Sequence, residues 1–197
     1  MSMVEITERI GDASPRARMA GVFYLLTFVT GLYAFFVRNT LGSAAGLIAA
    51  ACYVAVTLLF YLIFKPVNRN LSLLAAVVSL AGCVIGPLGS VIHELSRINP
   101  LVFFGFYCLL IGYLILRSTF LPSILGVLMA FAGLGWLTFA WPRLASYLSP
   151  YNMIPGMVGE GALTLWLLVA GVNVERWREQ SFKKTILIMP STASHRL

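Results

Sequence analysis

The sequence predicts an all-α integral membrane protein, a bundle of six transmembrane helices with its N- and C-termini in the cytoplasm. Of its 197 residues, 59% are hydrophobic and only 11% are charged, and the mean hydropathy is +0.89. An average soluble domain carries about 25% charged residues, and a small domain leaves much of its surface in water. This composition excludes a soluble enzyme, a disordered chain and a secreted scaffold stabilised by disulfides.

Six apolar segments are long enough, or nearly long enough, to cross a bilayer. A helix rises about 1.5 Å per residue, so a span needs about 20 residues. None of the segments has the two-residue alternation of a strand. The predicted spans are residues 19–37, 41–64, 71–92, 101–116, 121–141 and 153–174.

These spans form one membrane domain over residues 15–174, preceded by a cytoplasmic segment (1–14) and followed by a basic cytoplasmic tail (175–197). Helices in a membrane associate through small residues that let their backbones approach. The candidates are Gly42 and Gly46, Gly82 and Gly86, and Gly126, Gly133 and Gly135.

The positions of the basic residues predict the orientation. If the N-terminus is inside, 11 of the 14 Lys and Arg residues lie on the cytoplasmic side and only Arg38, Arg97 and Arg143 lie outside. Basic residues concentrate on the cytoplasmic side of membrane helices. The same rule accounts for the net charge of +7, so we expect the lipid bilayer as partner and no nucleic acid. The sequence leaves the oligomeric state open.

No metal or cofactor is predicted. Cys52, Cys83 and Cys108 lie within three different apolar segments and form no CxxC pair, so they are interpreted as small apolar side chains. His93 and His195 would lie on opposite sides of the membrane, which excludes a bis-histidine haem. Neither HExxH nor GxSxG occurs.

Glu160 is the strongest candidate for a functional side chain, because it alone among ionisable residues lies well inside a predicted span. A charged residue at the centre of a membrane helix costs about 2.5–3.5 kcal/mol on insertion scales. Gly156 and Thr164 lie one turn away on the same face, so Glu160 is expected to face the bundle, roughly 10 Å below the outer surface. It is either a proton- or ligand-binding carboxyl group or a structural one.

A second group of candidates lies at the predicted outer ends of the spans. Its members are Arg38, His93, Glu94, Arg97, Arg143, Tyr151 and Asn152. With Glu160 and Thr164 they could line an outward-opening pocket in which His93 acts as an acid or base near neutral pH. Alternatively, they are interfacial anchors and surface ion pairs, for which Arg and Tyr are typical.

Several stretches, taken in order, carry a family resemblance. They are residues 17–26 (ARMAGVFYLL), 61–68 (YLIFKPVN), 101–105 with 112–115, 121–126 (LPSILG), and Gly159-Glu160 with 165–168 and Gly171. Over residues 15–174 the chain resembles the bacterial multi-pass membrane proteins grouped as domain of unknown function 4386. The resemblance implies a multi-pass protein of the plasma (inner) membrane of a bacterium, with no assigned catalytic residue.

The sequence leaves three function classes open. The first is binding or transport of a small or lipid-like molecule at an outer-leaflet polar pocket around Glu160. The second is a membrane enzyme that acts on a lipid-soluble substrate through His93, Glu94 or Glu160. The third is an accessory or structural protein with no chemistry. Nothing in the sequence chooses among these classes, and binding or transport is taken as the best guess, ahead of an enzyme.

Overall fold

The computed structural model describes residues 13–37, 39–89, 92–94 and 97–188, and the regular elements in these ranges are all helical. The α-helices are α1 (Ala13–Phe36), α2 (Thr40–Phe64), α3 (Arg69–Leu88), α4 (Leu101–Arg117), α5 (Ser123–Leu137), α6 (Pro142–Leu148), α7 (Ile154–Val169) and α8 (Val174–Ile188). A 3₁₀ turn extends α5 (Thr138–Ala140) and another precedes α7 (Tyr151–Met153). The all-α prediction is confirmed for the described residues.

Five helical segments in the described ranges are long and apolar enough to cross a membrane. They are Pro15–Phe36, Thr40–Phe64, Arg69–Leu88, Ser123–Ala140 and Tyr151–Val169. The apolar helix α4 is shorter, at 17 residues. Large apolar side chains cover the outside of the bundle: Val29, Leu47, Val127 and Leu165 are each more than half exposed. A monomeric soluble protein rarely exposes so much contiguous apolar surface, so the fold is that of a helical membrane protein.

Six helices pack as a closed ring. The most extensive contacts join α1 to α2, α2 to α3, α3 to α4, α4 to α5, α5 to α7, and α7 back to α1. The interior of the ring contains side chains that are almost fully buried, among them Tyr24, Phe60, Tyr107, Ile111 and Leu163. Each long helix therefore has one face in this interior and an apolar face on the outside.

Glycines bring the backbones of α4 and α5 into contact. A Cβ atom at Gly112 would lie 2.8 Å from the carbonyl oxygen of Gly126, and one at Gly126 would lie 2.8 Å from the carbonyl oxygen of Gly112. A Cβ atom at Gly133 would likewise lie 2.8 Å from the carbonyl oxygen of Gly105. Only glycine fits at these crossing points, because any side chain would push the two helices apart.

Polar caps and one glycine set several helix ends. The side chains of Asn39 and Asn68 accept hydrogen bonds from the first turns of α2 and α3. Gly171 has a φ of 67° and follows the end of α7 at Val169, five residues before the predicted end at 174. A left-handed glycine commonly ends a helix in this way. Similarly, α3 ends at Leu88 rather than near residue 92.

Helix α8 docks against the end of the bundle formed by the C-terminus of α2 and the loop between α4 and α5. The buried Trp177 donates its indole N–H to the carbonyl oxygen of Ile63 at 2.9 Å. Gln180 bonds to Thr119 and to the carbonyl oxygen of Arg117. Ile63 lies in the last turn of α2, where carbonyl groups lack helical partners, so Trp177 satisfies an otherwise open acceptor.

Replacing Trp177 by phenylalanine should loosen α8 from the bundle. The change removes the hydrogen bond to Ile63 and leaves a buried carbonyl oxygen unsatisfied, at a cost of about 1–2 kcal/mol. Hydrogen exchange should then show faster exchange of the α8 amides. The control is Trp166→Phe, since Trp166 is 39% exposed on the outer face of α7. Equal protection of α8 in the two variants would contradict the predicted role of Trp177.

Candidate functional site

Glu160 lies at the centre of the helical segment Tyr151–Val169, nine residues from each end. This is roughly 14 Å of helix rise from either end, nearer the middle of the segment than the sequence analysis placed it. Its side chain is 5% exposed and faces the interior of the ring. A carboxyl group therefore occupies the middle of a largely apolar bundle.

Three other helices supply hydrogen-bond donors to this carboxyl group. The hydroxyl of Tyr24 on α1 donates to Oε2 at 2.7 Å. The indole N–H of Trp136 on α5 donates to Oε1 at 2.5 Å, and the thiol of Cys108 on α4 donates to Oε1 at 3.6 Å. All three donors are neutral, so hydrogen bonds rather than a basic side chain hold the carboxyl group.

The residues one turn before and after Glu160 on α7 have separate local roles. A Cβ atom at Gly156 would overlap the indole ring of Trp136, so this glycine makes the room that lets Trp136 reach the carboxyl group. Thr164 is 2% exposed and donates its hydroxyl to the backbone carbonyl of Glu160 at 2.7 Å. Thr164 thus serves the α7 backbone and makes no hydrogen bond with the Glu160 carboxyl group.

An aromatic cluster formed by Tyr24, Tyr53, Phe104 and Tyr107 adjoins Glu160. The ring of Tyr53 lies edge-on to Tyr24 at 5.6 Å, to Phe104 at 4.7 Å and to Tyr107 at 5.8 Å between centroids. Such edge-to-face pairs are favourable arrangements of aromatic rings. Tyr24 connects the cluster to the carboxyl group, and Tyr107 is the chain neighbour of Cys108.

Two hydroxyl groups of this cluster lack partners. Tyr53 is 7% exposed and Tyr107 is 1% exposed. Within the described residues neither phenolic oxygen makes a hydrogen bond of normal geometry, although the Tyr53 hydroxyl lies near Tyr24 and Glu160 and the Tyr107 hydroxyl lies near Thr57. By contrast, the nearby hydroxyl groups of Thr57 and Ser79 form a hydrogen bond with each other, with 2.6 Å between their oxygens. A buried polar group without a partner costs about 1–3 kcal/mol, so the unpaired phenols indicate an incomplete polar site.

The other predicted site residues do not join Glu160. His93 and Glu94 are exposed in the segment that follows α3, and Arg143 is exposed on α6. Arg38 lies outside the described residues. In the part of the chain that the structure describes, the hydrogen bonds to the Glu160 carboxyl group come from none of them.

A cleft of about 770 Å³ lies at the end of the bundle where the link between α3 and α4 meets α6. Arg97, Asn99, Phe103, Phe139 and Ala145 are among the residues that line it, and Glu160 is not. The polar residues at this end and the interior carboxyl group are therefore two separate features. No group of three His, Cys, Asp or Glu side chains that could hold a metal occurs within the described residues.

Sequence reasoning did not find the partners of Glu160. Cys108 is expected from the sequence to be a small apolar side chain, but its thiol donates to the Glu160 carboxyl group. Tyr24 is 136 positions from Glu160 in the chain. Trp136 lies near the end of a predicted span, where an aromatic side chain is common and gives no sign of a buried partner. A hint was present in the polar tips of Tyr53 and Tyr107, which lie mid-span and need hydrogen bonds if buried.

The ring of apolar helices and its interior carboxyl group define the class as a helical membrane protein with a buried acidic site. Residues 88–171 match the family model described as Domain of unknown function (DUF4386). This match confirms, over those residues, the family resemblance drawn from the sequence. The matched region includes Cys108, Trp136 and Glu160, whereas Tyr24 and Tyr53 precede it.

Among curated proteins, an "Uncharacterized protein" of the archaeon Archaeoglobus fulgidus is 27% identical over 124 residues, which cover 60% of this chain and 76% of that protein. No solved structure matches the chain. The comparisons therefore support the family and name no activity.

Proposed function

We propose that this protein binds or transports a small molecule in the interior of its helix bundle, with Glu160 and the aromatic cluster as the binding site. The observation that carries the proposal is the buried carboxyl group in mid-helix, held by neutral donors and adjoined by two unpaired phenols. Ionisable residues inside membrane segments generally mark substrate or proton pathways. Glu160 then acts as the group that binds the ligand or exchanges a proton with it.

A structural role is the alternative with an observation in its favour. The Glu160 carboxyl group joins α7 to α1, α4 and α5 through three hydrogen bonds. Such a clamp would hold the ring closed without any ligand. The unpaired hydroxyls of Tyr53 and Tyr107 favour binding, however, because a purely structural polar cluster has no reason to leave them unsatisfied. We propose no catalytic role, since no acid or base of the predicted set bonds to Glu160.

The experiment that separates the two is native mass spectrometry of the protein from mild detergent, with an absorption spectrum of the same sample. We expect wild type and Glu179→Gln to retain a small molecule that Glu160→Gln loses. Glu179 is a suitable control because it is an exposed carboxyl group on α8. Identical bound species in wild type and Glu160→Gln, or a bare wild-type protein, would count against this site and favour the clamp.

We also propose that six helices cross the plasma membrane of a bacterium, with α4 as the sixth and both termini in the cytoplasm. The 17 apolar residues of α4 fall within the range of about 17–25 found for membrane helices, and α4 takes a full place in the ring. In support of the orientation, α8 contacts the same bundle end as the α4–α5 loop, where the predicted cytoplasmic residue Arg117 lies.

Single cysteines test this topology in intact cells. Thr40→Cys and Arg97→Cys should react with an impermeant thiol reagent, and Asn68→Cys should not, because residue 68 lies in the cytoplasmic turn between α2 and α3. Wild-type protein supplies the background from Cys52, Cys83 and Cys108. Labelling at position 68 with none at positions 40 and 97 would show that the topology is the reverse of the one proposed.

A further inference from the structure

We propose that the ligand of this site is an organic ammonium ion, a lipophilic amine whose protonated nitrogen lies beside the Glu160 carboxyl group and the hydroxyls of Tyr53 and Tyr107. This inference rests on the proposed binding function and specifies its ligand class. The site joins three features that one ligand chemistry must meet together: an acidic group, two free phenolic oxygens and several aromatic rings. Each feature restricts the choice of ligand independently.

The acidic group calls for a positive charge. Three neutral side chains bond to Glu160, so none of them can compensate the charge that this group carries when it is ionised. In a medium of low dielectric constant, an opposite charge a few ångströms away is far more stabilising than in water. A ligand ammonium ion would pair with the ionised form of Glu160, whereas an anionic ligand would be repelled by it.

The two free hydroxyls call for hydrogen-bond donors or acceptors on the ligand. An ammonium group has three N–H donors and no acceptor. Three side chains provide one hydrogen-bond acceptor each: the carboxylate of Glu160 and the phenolic oxygens of Tyr53 and Tyr107. One ammonium group could therefore donate to both phenolic oxygens and to the Glu160 carboxylate at the same time.

The aromatic rings favour an organic cation over a metal ion. The faces of Tyr and Trp rings attract cations within about 6 Å, and the site has Tyr24, Tyr53, Tyr107 and Trp136. A hard metal ion such as calcium would need about six to eight oxygen ligands, whereas no group of three acidic or metal-ligating side chains occurs in the described residues. Apolar neighbours such as Ile111 and Leu163 suit the hydrocarbon body of an amine.

The test compares an amine with its neutral counterpart in the full chain, reconstituted in phosphatidylcholine nanodiscs. Isothermal titration calorimetry measures binding of 2-phenylethylamine and of 2-phenylethanol, with empty nanodiscs subtracted. We expect the amine to bind at least about tenfold more tightly, as hydrogen bonds to charged groups imply. Glu160→Gln should remove this preference, and Glu179→Gln should keep it. Equal affinity of the wild type for amine and alcohol would overturn the proposal.

Two tyrosine variants give a second test that does not depend on whether Glu160→Gln folds. Tyr53→Phe and Tyr107→Phe retain the rings and remove only the unpaired hydroxyls, so the fold should persist. Each should weaken amine binding by about tenfold. Tyr113→Phe is the matched control, because Tyr113 lies on the same helix as Tyr107 but is 49% exposed. Unchanged amine affinity in both interior variants would overturn the assignment of this site.

The source of the ammonium group is decided in a further arm. If phosphatidylethanolamine added to the nanodiscs weakens amine binding, the ligand is a lipid headgroup; if it has no effect, the ligand is a free amine. Failure of the amine proposal remains distinct from failure of the proposed function. A neutral molecule that native mass spectrometry finds in wild type and not in Glu160→Gln would refute the ammonium ion and support the site.

Discussion

Replacing Glu160 by alanine should produce a large loss of stability. The change leaves the hydroxyl of Tyr24, the indole N–H of Trp136 and the thiol of Cys108 without their acceptor. It also opens a cavity in the ring. Unsatisfied donors and a cavity together should lower the free energy of unfolding by about 2–4 kcal/mol, even though hydrogen bonds in membranes are individually modest.

The measurement is an unfolding titration of the protein in mixed micelles. Glu160→Gln should lose less than Glu160→Ala, because the amide oxygen still accepts hydrogen bonds and the volume is nearly unchanged. Glu179→Ala on α8 is the control for removing an exposed carboxyl group. If Glu160→Ala unfolds at the same denaturant concentration as Glu179→Ala, the carboxyl group does not join the four helices as the structure indicates.

A single methyl group at Gly126 should separate α4 from α5. The new Cβ atom would lie 2.8 Å from the carbonyl oxygen of Gly112 and 2.8 Å from Cγ of Leu116. The backbone of α4 cannot yield without breaking its own packing, so we expect Gly126→Ala to lower the free energy of unfolding by about 1–3 kcal/mol. The same titration in mixed micelles measures the loss.

Gly161→Ala provides a matched control for that substitution. Gly161 lies on α7, and a Cβ atom there would meet nothing within 4 Å. Since alanine is favoured over glycine in a helix by about 1 kcal/mol, this variant should be as stable as the wild type or more so. If Gly126→Ala and Gly161→Ala behave alike, close packing of the α4 and α5 backbones does not stabilise the bundle.

The glycines at which helix backbones touch could not be predicted from sequence spacing alone. The four-residue spacing of Gly42 and Gly46 is the familiar pattern of a helix interface, but at Gly46 a Cβ atom would meet only Ala34 at 3.7 Å. The close approach occurs instead between Gly112 and Gly126, on different helices. Spacing within one helix predicts a face with small residues, whereas the facing helix decides whether that face is used for backbone contact.

The candidate site divides in the same way. Glu160 could be singled out from the sequence because an ionisable residue in an apolar segment is costly wherever the segment lies. Its partners could not, because Tyr24 is 136 positions away in the chain and any of several mid-span hydroxyl or indole groups could have met it. The predicted neighbours His93, Glu94 and Arg143 share a bundle end by topology but are exposed.

The sequence by itself determined the environment and the elements of this protein. Apolar composition indicates a membrane protein, and the length of each apolar segment indicates a helix. Both are properties of a segment that do not depend on its neighbours. Only the tertiary structure decided which helices close the ring, which glycines touch, and which donors hold Glu160. Those outcomes depend on how helices that are far apart in the chain rotate and pair. Apolar helix faces do not select among the possible pairings, because lipid is as apolar as the faces themselves.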